Sequence, residues 1–199
     1  MADPLAATVL LDPGAQSQGA QRDPSRAAET RILGAVQQRL RQPAVVRTAR
    51  GMSLFGEHAA GWLAIGAVGA MADGSRRTRW LYSAAGVALA HGASIGIKRV
   101  VRRPRPDDPS VAVLVGTPSK LSFPSSHASS TTAAAVLYGG LLGRKLTSAK
   151  LVAAVVPPML LSRMVLGVHF PSDVAAGSAL GALVGALVKR RIAKKQGRS

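Results

Sequence analysis

The stretch LSFPSSHASSTTAAAVL, residues 121–137, decides the fold. Ser125 stands just before an uncharged run of small residues, where its hydroxyl can cap the first turn of a helix. A helix this weakly polar belongs in an apolar surround, and the same texture recurs along the chain. Mildly hydrophobic segments lie at about 52–72, 79–98, 127–143, 149–166 and 171–188. Each approaches the ~17–20 residues that cross a bilayer as a helix. Gly86, Ala90, Gly177, Gly181 and Gly185 let helix backbones approach closely, which is how bundles pack where lipid supplies no hydrophobic drive. The expectation is an all-α, membrane-embedded helical bundle of about five transmembrane helices. A soluble helical bundle is the alternative.

Composition agrees with a bilayer. The 199 residues suffice for one core, with 47% hydrophobic and only 18% charged. A net charge of +17 attracts polyanions, either nucleic acid or an anionic membrane surface. Aromatic residues are 4%, too few for base-stacking platforms, so no nucleic-acid partner is expected. With no cysteine there is no disulfide, thiol nucleophile or thiolate metal site. Residues 1–24, rich in Pro, Gly, Gln and Asp, form a disordered tail. Residues 25–50 hold an amphipathic helix and linker, with Ala27, Ala28, Ile32, Leu33, Val36 and Leu40 at helical spacing and Pro43 ending the helix. This N-terminal helix is expected to lie in the membrane interface. The transmembrane domain spans 51–188, and 189–199 is a basic C-terminal tail. Lys and Arg counts on the two sides are 12 against 14, so orientation stays open.

Three clusters fall at corresponding ends of the segments and would meet at one membrane face. They are Lys98 with Arg105 and Pro106; Pro124, Ser125, Ser126 and His127; and Ser162 and Arg163 with His169 and Asp173. A transferring phosphoryl group spreads negative charge over its oxygens, and Lys98, Arg105 and Arg163 supply fixed positive donors for it. Ser125, with the free N–H groups of the following helix, makes an anion site, to which Ser126 adds a backbone N–H. His169 can attack phosphorus as a neutral imidazole if Asp173, four residues on, holds its other nitrogen. His127 is then free to protonate the leaving alkoxide and to deprotonate the hydrolytic water. No carboxylate cluster capable of holding Mg²⁺ is present, so neither metal nor other cofactor is expected. Glu57 and His58 are candidates for substrate recognition, and His91 reads as a packed, hydrogen-bonded core residue.

In order, spacing and helix placement these clusters resemble the type 2 phosphatidic acid phosphatase superfamily, over about residues 51–188. The superfamily includes lipid phosphatases, soluble acid phosphatases and vanadium haloperoxidases. The resemblance implies a phosphohistidine on His169, relay through Asp173 and acid/base work by His127. Ser126 departs from the glycine most usual at its position. The Ser-Leu-Phe-Gly-Glu-His-Ala start and the Phe-Pro-Ser-Ser-His-Ala run look like small actinobacterial members. Some of those remove the 5-phosphate from a polyprenyl-phosphoryl-5-phosphoribose in cell-wall arabinan precursor synthesis. The resemblance therefore implies a multi-pass enzyme of the bacterial plasma membrane with a lipid phosphate substrate. Polyprenyl diphosphate, phosphatidylglycerophosphate and phosphatidic acid stay open as substrates, and a homo-oligomer stays open as an assembly. Vanadium haloperoxidase and a non-catalytic anionic-lipid binder are the readings from other classes.

Overall fold

The computed structural model describes residues 24–143 and 145–196; the tail expected at 1–24 lies, but for Pro24, outside the described residues. Seven α-helices follow in order: α1 (Pro24–Leu40), α2 (Pro43–Gly56), α3 (Ala60–Ala72), α4 (Arg77–Val101), α5 (Ser126–Tyr138), α6 (Ser148–Val165) and α7 (Pro171–Gln196). Among the described residues the only β pairing is an isolated bridge between Pro104 and Leu121. α1 stops at Leu40, just short of Pro43 as expected, and Pro43 is itself the first residue of α2, where its missing N–H costs nothing. The stretch read as a linker is therefore helical.

α5 is the axis of the bundle. Ten of its 13 residues are buried, and it packs against α4, α6, α7 and α3. Its interior face is polar but satisfied: Ser129 donates to the Ala90 carbonyl, Trp62 donates to Thr131, and Tyr138 donates to the Trp62 carbonyl. The α7 seam is tight because it carries glycines. A Cβ on Gly181 would stand 2.2 Å from the Ser129 carbonyl oxygen, and one on Gly177 2.4 Å from that of Ser125. The outside of the bundle is apolar instead. Leu89, Val100, Leu183 and Leu187 are exposed on α4 and α7, an arrangement suited to lipid.

Three helices are long and apolar enough to cross a membrane: Gly74–Val101, Ser148–Val165 and Pro171–Lys195. The other two apolar segments differ from expectation. The stretch 52–72 is not continuous; Glu57–Ala59 forms a short 3-10 turn in which His58 and Ala59 adopt φ of 50° and 60°. The kink turns Phe55 back over Gly61, where a Cβ would lie 2.3 Å from the ring. The segment 127–143 stops being helical at Tyr138, and at 13 residues α5 is shorter than the ~20 of a full span. In the other direction α7 runs through Gln196, so most of the basic stretch from 189 is helical.

α1 is docked on the protein. The Gln37 amide donates to the carbonyls of Ala112 (2.7 Å) and Val165 (3.0 Å) and accepts from the Ala112 N–H (2.9 Å). That satisfies a side chain only 3% exposed and ties α1 to the end of α6 and to the long 102–125 connector.

Candidate active site

The site forms where α4 ends, α5 begins and α6 hands over to α7. Arg102, with φ 55°, stops α4 and donates its N–H to the Lys98 carbonyl. The chain leaves as Arg103-Pro104-Arg105 and returns to α5, whose cap is Ser125 accepting from the Ala128 N–H at 3.5 Å. These turns and the Glu57–Ala59 kink enclose a cavity of about 350 Å³. Lys98, Arg105, Arg163, Ser126, His127, His169, Glu57 and His58 all line it. The three clusters thus converge at one end of the bundle.

His169 is 2% exposed. Its Nε2 lies 3.3 Å from Arg105 Nη1. A guanidinium can only donate, so Nε2 is the unprotonated nitrogen and points its lone pair into the cavity. Nδ1 then carries the proton and faces Asp173 Oδ2 at 3.6 Å, an approach too long for a hydrogen bond. Burial holds the imidazole well below its ordinary pKa, and the cations Arg105, Arg163 and Lys98 push the same way. Neutral imidazole is the form a nucleophile requires.

The cations differ in what they have left to give. Arg163 is 2% exposed, yet its Nε and Nη1 have no hydrogen-bond partner among the described residues. Arg105 donates to the carbonyls of Ser119 (2.8 Å) and Val168 (2.6 Å), and burial pulls its pKa down to about 10, so it stays charged. Lys98 spends all three ammonium protons on the carbonyls of Leu121, Ser122 and Pro124, at 3.0 to 3.2 Å. It braces the connector and lends its charge from behind it.

His127 donates from Nε2 to the Ser53 carbonyl of α2 at 2.9 Å. This contact needs Gly56, where a Cβ would stand 2.6 Å from the His127 ring. Ser125 is fully buried in its capping role and does not line the cavity; Ser126 does, with its hydroxyl held by Ser94 at 2.7 Å. His91 corrects the expectation. It is half-buried on the cavity wall, 6.4 Å from the His58 ring, and its Nδ1 has no partner among the described residues.

The span from α4 to the end of α7 also matches a known family: the PAP2 superfamily profile covers residues 79–196. The chain belongs to the PAP2 superfamily. This PAP2 chain is similar to the decaprenylphosphoryl-5-phosphoribose phosphatase of Mycobacterium tuberculosis, 54% identical over 161 residues, covering 80% of this chain and 88% of that protein. The protein of the same name from Mycolicibacterium smegmatis is 55% identical over 150 residues, covering 75% and 81%. Among solved structures, the transmembrane PAP2 type phosphatidylglycerolphosphate phosphatase from Bacillus subtilis superposes with a TM-score of 0.70 at 26% identity, covering 87% of this chain and 89% of that one. Phosphatase relatives at this identity support a phosphoric monoester hydrolase.

Sequence reasoning passed over several residues around this PAP2 site. Ser53, Ser94 and Gly56 hold the histidine and serine of the second cluster. Arg103 pairs with Asp173 at 2.9 Å and with Glu29 of α1. Glu29 was conspicuous only as one of nine acidic residues in a basic chain.

Proposed function

We propose that this protein hydrolyses the phosphate monoester of a membrane lipid through a phosphohistidine on His169, the lipid being a polyprenyl-phosphoryl-5-phosphoribose. One observation carries the chemistry. Arg163 presents two buried, unpartnered N–H groups to the same cavity that receives the free Nε2 of His169. A buried charged donor without a partner costs on the order of 1–3 kcal/mol, a cost that a bound phosphate oxygen removes. The nucleophile and the vacant donors therefore favour the same occupant.

In this mechanism Arg163 and Arg105 bind the phosphoryl oxygens, the phosphate displacing Arg105 Nη1 from His169. Nε2 attacks phosphorus, the ester P–O bond breaks, and His127, entering the step as an imidazolium with the phosphate bound, gives one proton to the departing alkoxide. His127 then takes a proton from water as the water oxygen attacks the phosphohistidine, which releases inorganic phosphate and frees Nε2. Asp173 orients the imidazole and stabilises its charge while phosphorus is bound. Glu57 and His58, at the cavity wall, are placed to contact a sugar hydroxyl, and Leu54, Ile95 and Leu121 give the cavity an apolar lining for the start of the lipid chain. The mechanism uses no metal. The three long apolar helices support a multi-pass topology, and the mycobacterial relatives support the bacterial plasma membrane as its location.

Phosphatidylglycerophosphate is the second reading, favoured by the structural neighbour and disfavoured by its lower identity. The deciding experiment measures phosphate release from both lipids by the purified protein with EDTA present. Faster release from the phosphoribose lipid, abolished by His169→Ala, is the expected result. EDTA-sensitive turnover, or no release from either lipid, overturns the proposal.

A further inference from the structure

Asp173 is 0% exposed, and its two oxygens are shared among the Phe170 N–H, His169, Arg103 and the Ser122 side chain. Oδ2 accepts from the Phe170 N–H at 2.8 Å and faces His169 Nδ1 at 3.6 Å; Oδ1 accepts from Arg103 Nη1 at 2.9 Å. The angle of the carboxylate toward the imidazole is therefore set jointly by the Phe170 N–H, the Ser122 side chain and Arg103. Arg103 is fixed at both ends. Its carbonyl accepts from the Ser122 N–H at 2.7 Å, its guanidinium lies 4.4 Å from the centre of the Phe170 ring, and Nη1 also reaches Ser172 Oγ at 2.6 Å. The outer nitrogen, Nη2, pairs with Glu29. Glu29 comes from α1, and its second oxygen accepts from the Ser172 N–H at 2.9 Å, in the first turn of α7. Its carboxyl is held below the ordinary carboxylate range: burial opposes this, and the bonds from Ser172 and Arg103 outweigh it.

A line of alternating charge thus runs from α1 toward the reacting imidazole: Glu29, Arg103 and Asp173, with the neutral ring of His169 at its end. We propose that Arg103, clamped from outside by Glu29, is a positioning residue that sets the orientation and basicity of the Asp173–His169 pair, so that a docked α1 is part of the catalytic unit. The inference rests on the phosphohistidine reading above. Its physical content is a competition. Arg103 draws the carboxylate away from His169, and Glu29 partly neutralises Arg103, so each controls how strongly Asp173 pulls on the Nδ1 proton. The other charged or titratable groups that face His169 are Arg105 from the connector, Lys98 of α4, Arg163 of α6 and His127 of α5, and none of them changes in the variants below.

The two outer residues act in opposite senses. Removing the Glu29 charge strengthens the hold of Arg103 on Asp173, which lowers the basicity of His169. Removing the Arg103 charge releases Asp173 toward Nδ1 and raises it. Full-length wild type, Glu29→Gln, Glu29→Asp, Arg103→Gln and Gln37→Ala are compared in phospholipid nanodiscs, with kcat, KM and the acid limb of the pH profile measured for each. Glu29→Gln and Arg103→Gln are expected to lower kcat about 10-fold to 100-fold, by analogy with the outer partners that orient metal-bound histidines. KM stays nearly unchanged, the acid limb moves down in pH for Glu29→Gln and up for Arg103→Gln, and Glu29→Asp restores most of kcat. Gln37→Ala cuts a different polar anchor of α1 and leaves the charge line and its Glu29 contact in place, so it should lower kcat clearly less than Glu29→Gln does. If it lowers kcat as much as Glu29→Gln does, or if Glu29→Gln turns over like wild type, the proposal is overturned. Should Arg103→Gln fail to fold, the three α1 variants still decide. Histidine NMR of His169 reads the opposed shifts without substrate, so an inactive wild type would count against the phosphatase reading and leave the charge line to its own test.

Discussion

At the site end of the bundle Arg163 is 2% exposed and Lys98 7%, whereas at the far end Arg77, Lys145, Lys150 and Lys194 stand exposed, although both ends are dense in Lys and Arg. The difference lies in the acceptors each end provides. A cation leaves water cheaply where carbonyls or carboxylates replace its hydration, as around Lys98, Arg105 and Arg103; Arg163 is the exception, buried with two donors vacant among the described residues. The long 102–125 connector supplies the carbonyls of Ser119, Leu121, Ser122 and Pro124, and Glu29 and Asp173 supply carboxylates. The far-end turns are short: Asp73 and the Gly140 carbonyl hold Arg76, while Lys189 reaches the Ser148 hydroxyl and Lys195 the Tyr82 hydroxyl. Site cations are thus organised for a single anion, and far-end cations remain a diffuse field available to any anionic surface.

The contrast breaks most readily at Arg163. Arg163→Lys keeps the charge and loses the planar fork, and kcat/KM should fall about 100-fold to 1,000-fold in a phosphate-release assay. A variant with near-normal turnover would mean that bulk positive charge suffices and that the two ends are alike. The seam joining the ends gives the next largest effect. Gly181→Leu forces a side chain into the Ser129 carbonyl, and thermal unfolding in detergent should report a loss of about 1–3 kcal/mol. Gly92→Leu is the control, since a Cβ there meets nothing within 4 Å.

Acid tests the site end more gently. The pKa of His169 lies below its ordinary value in the folded protein, so below about pH 6.5 the unfolded chain binds a proton that the folded chain does not. Stability contributed by the neutral ring is then lost as pH falls, by at most about 1.4 kcal/mol per unit, until the depressed pKa is reached. His169→Asn should flatten the unfolding temperature against pH by that share; an unchanged slope would show a ring that is not desolvated. The smallest effect belongs to the far end. Lys194→Ala with Lys195→Ala should change phosphate release by no more than about twofold, because exposed charges contribute little to a distant pocket.

Much of this was written locally. Pro124-Ser125-Ser126-His127 announces a capped helix start with a histidine in its first turn, and the spacing of His169 and Asp173 puts a carboxylate within reach of an imidazole. The glycines of α7 announce a close helix seam. Such features are legible because capping, helical periodicity and steric size act over a few residues. The break at Glu57–Ala59 was not legible, since it exists to seat Gly56 against His127, a residue about 70 positions away. The role of Lys98 as a brace was hidden for the same reason, its acceptors lying 23 to 26 residues on. Hidden further still was the Glu29–Arg103 pair, separated by 74 positions.

Sequence by itself determined the helical class, the apolar exterior and the residue types from which the proposed site is built, because composition and short-range spacing fix what a segment is able to be. Only the tertiary structure decided which cations are buried, which nitrogen of His169 is free and which helix reaches Asp173 through Arg103. Those properties depend on acceptors contributed by distant segments, and a chain acquires them only when its packing removes the alternative, which is water.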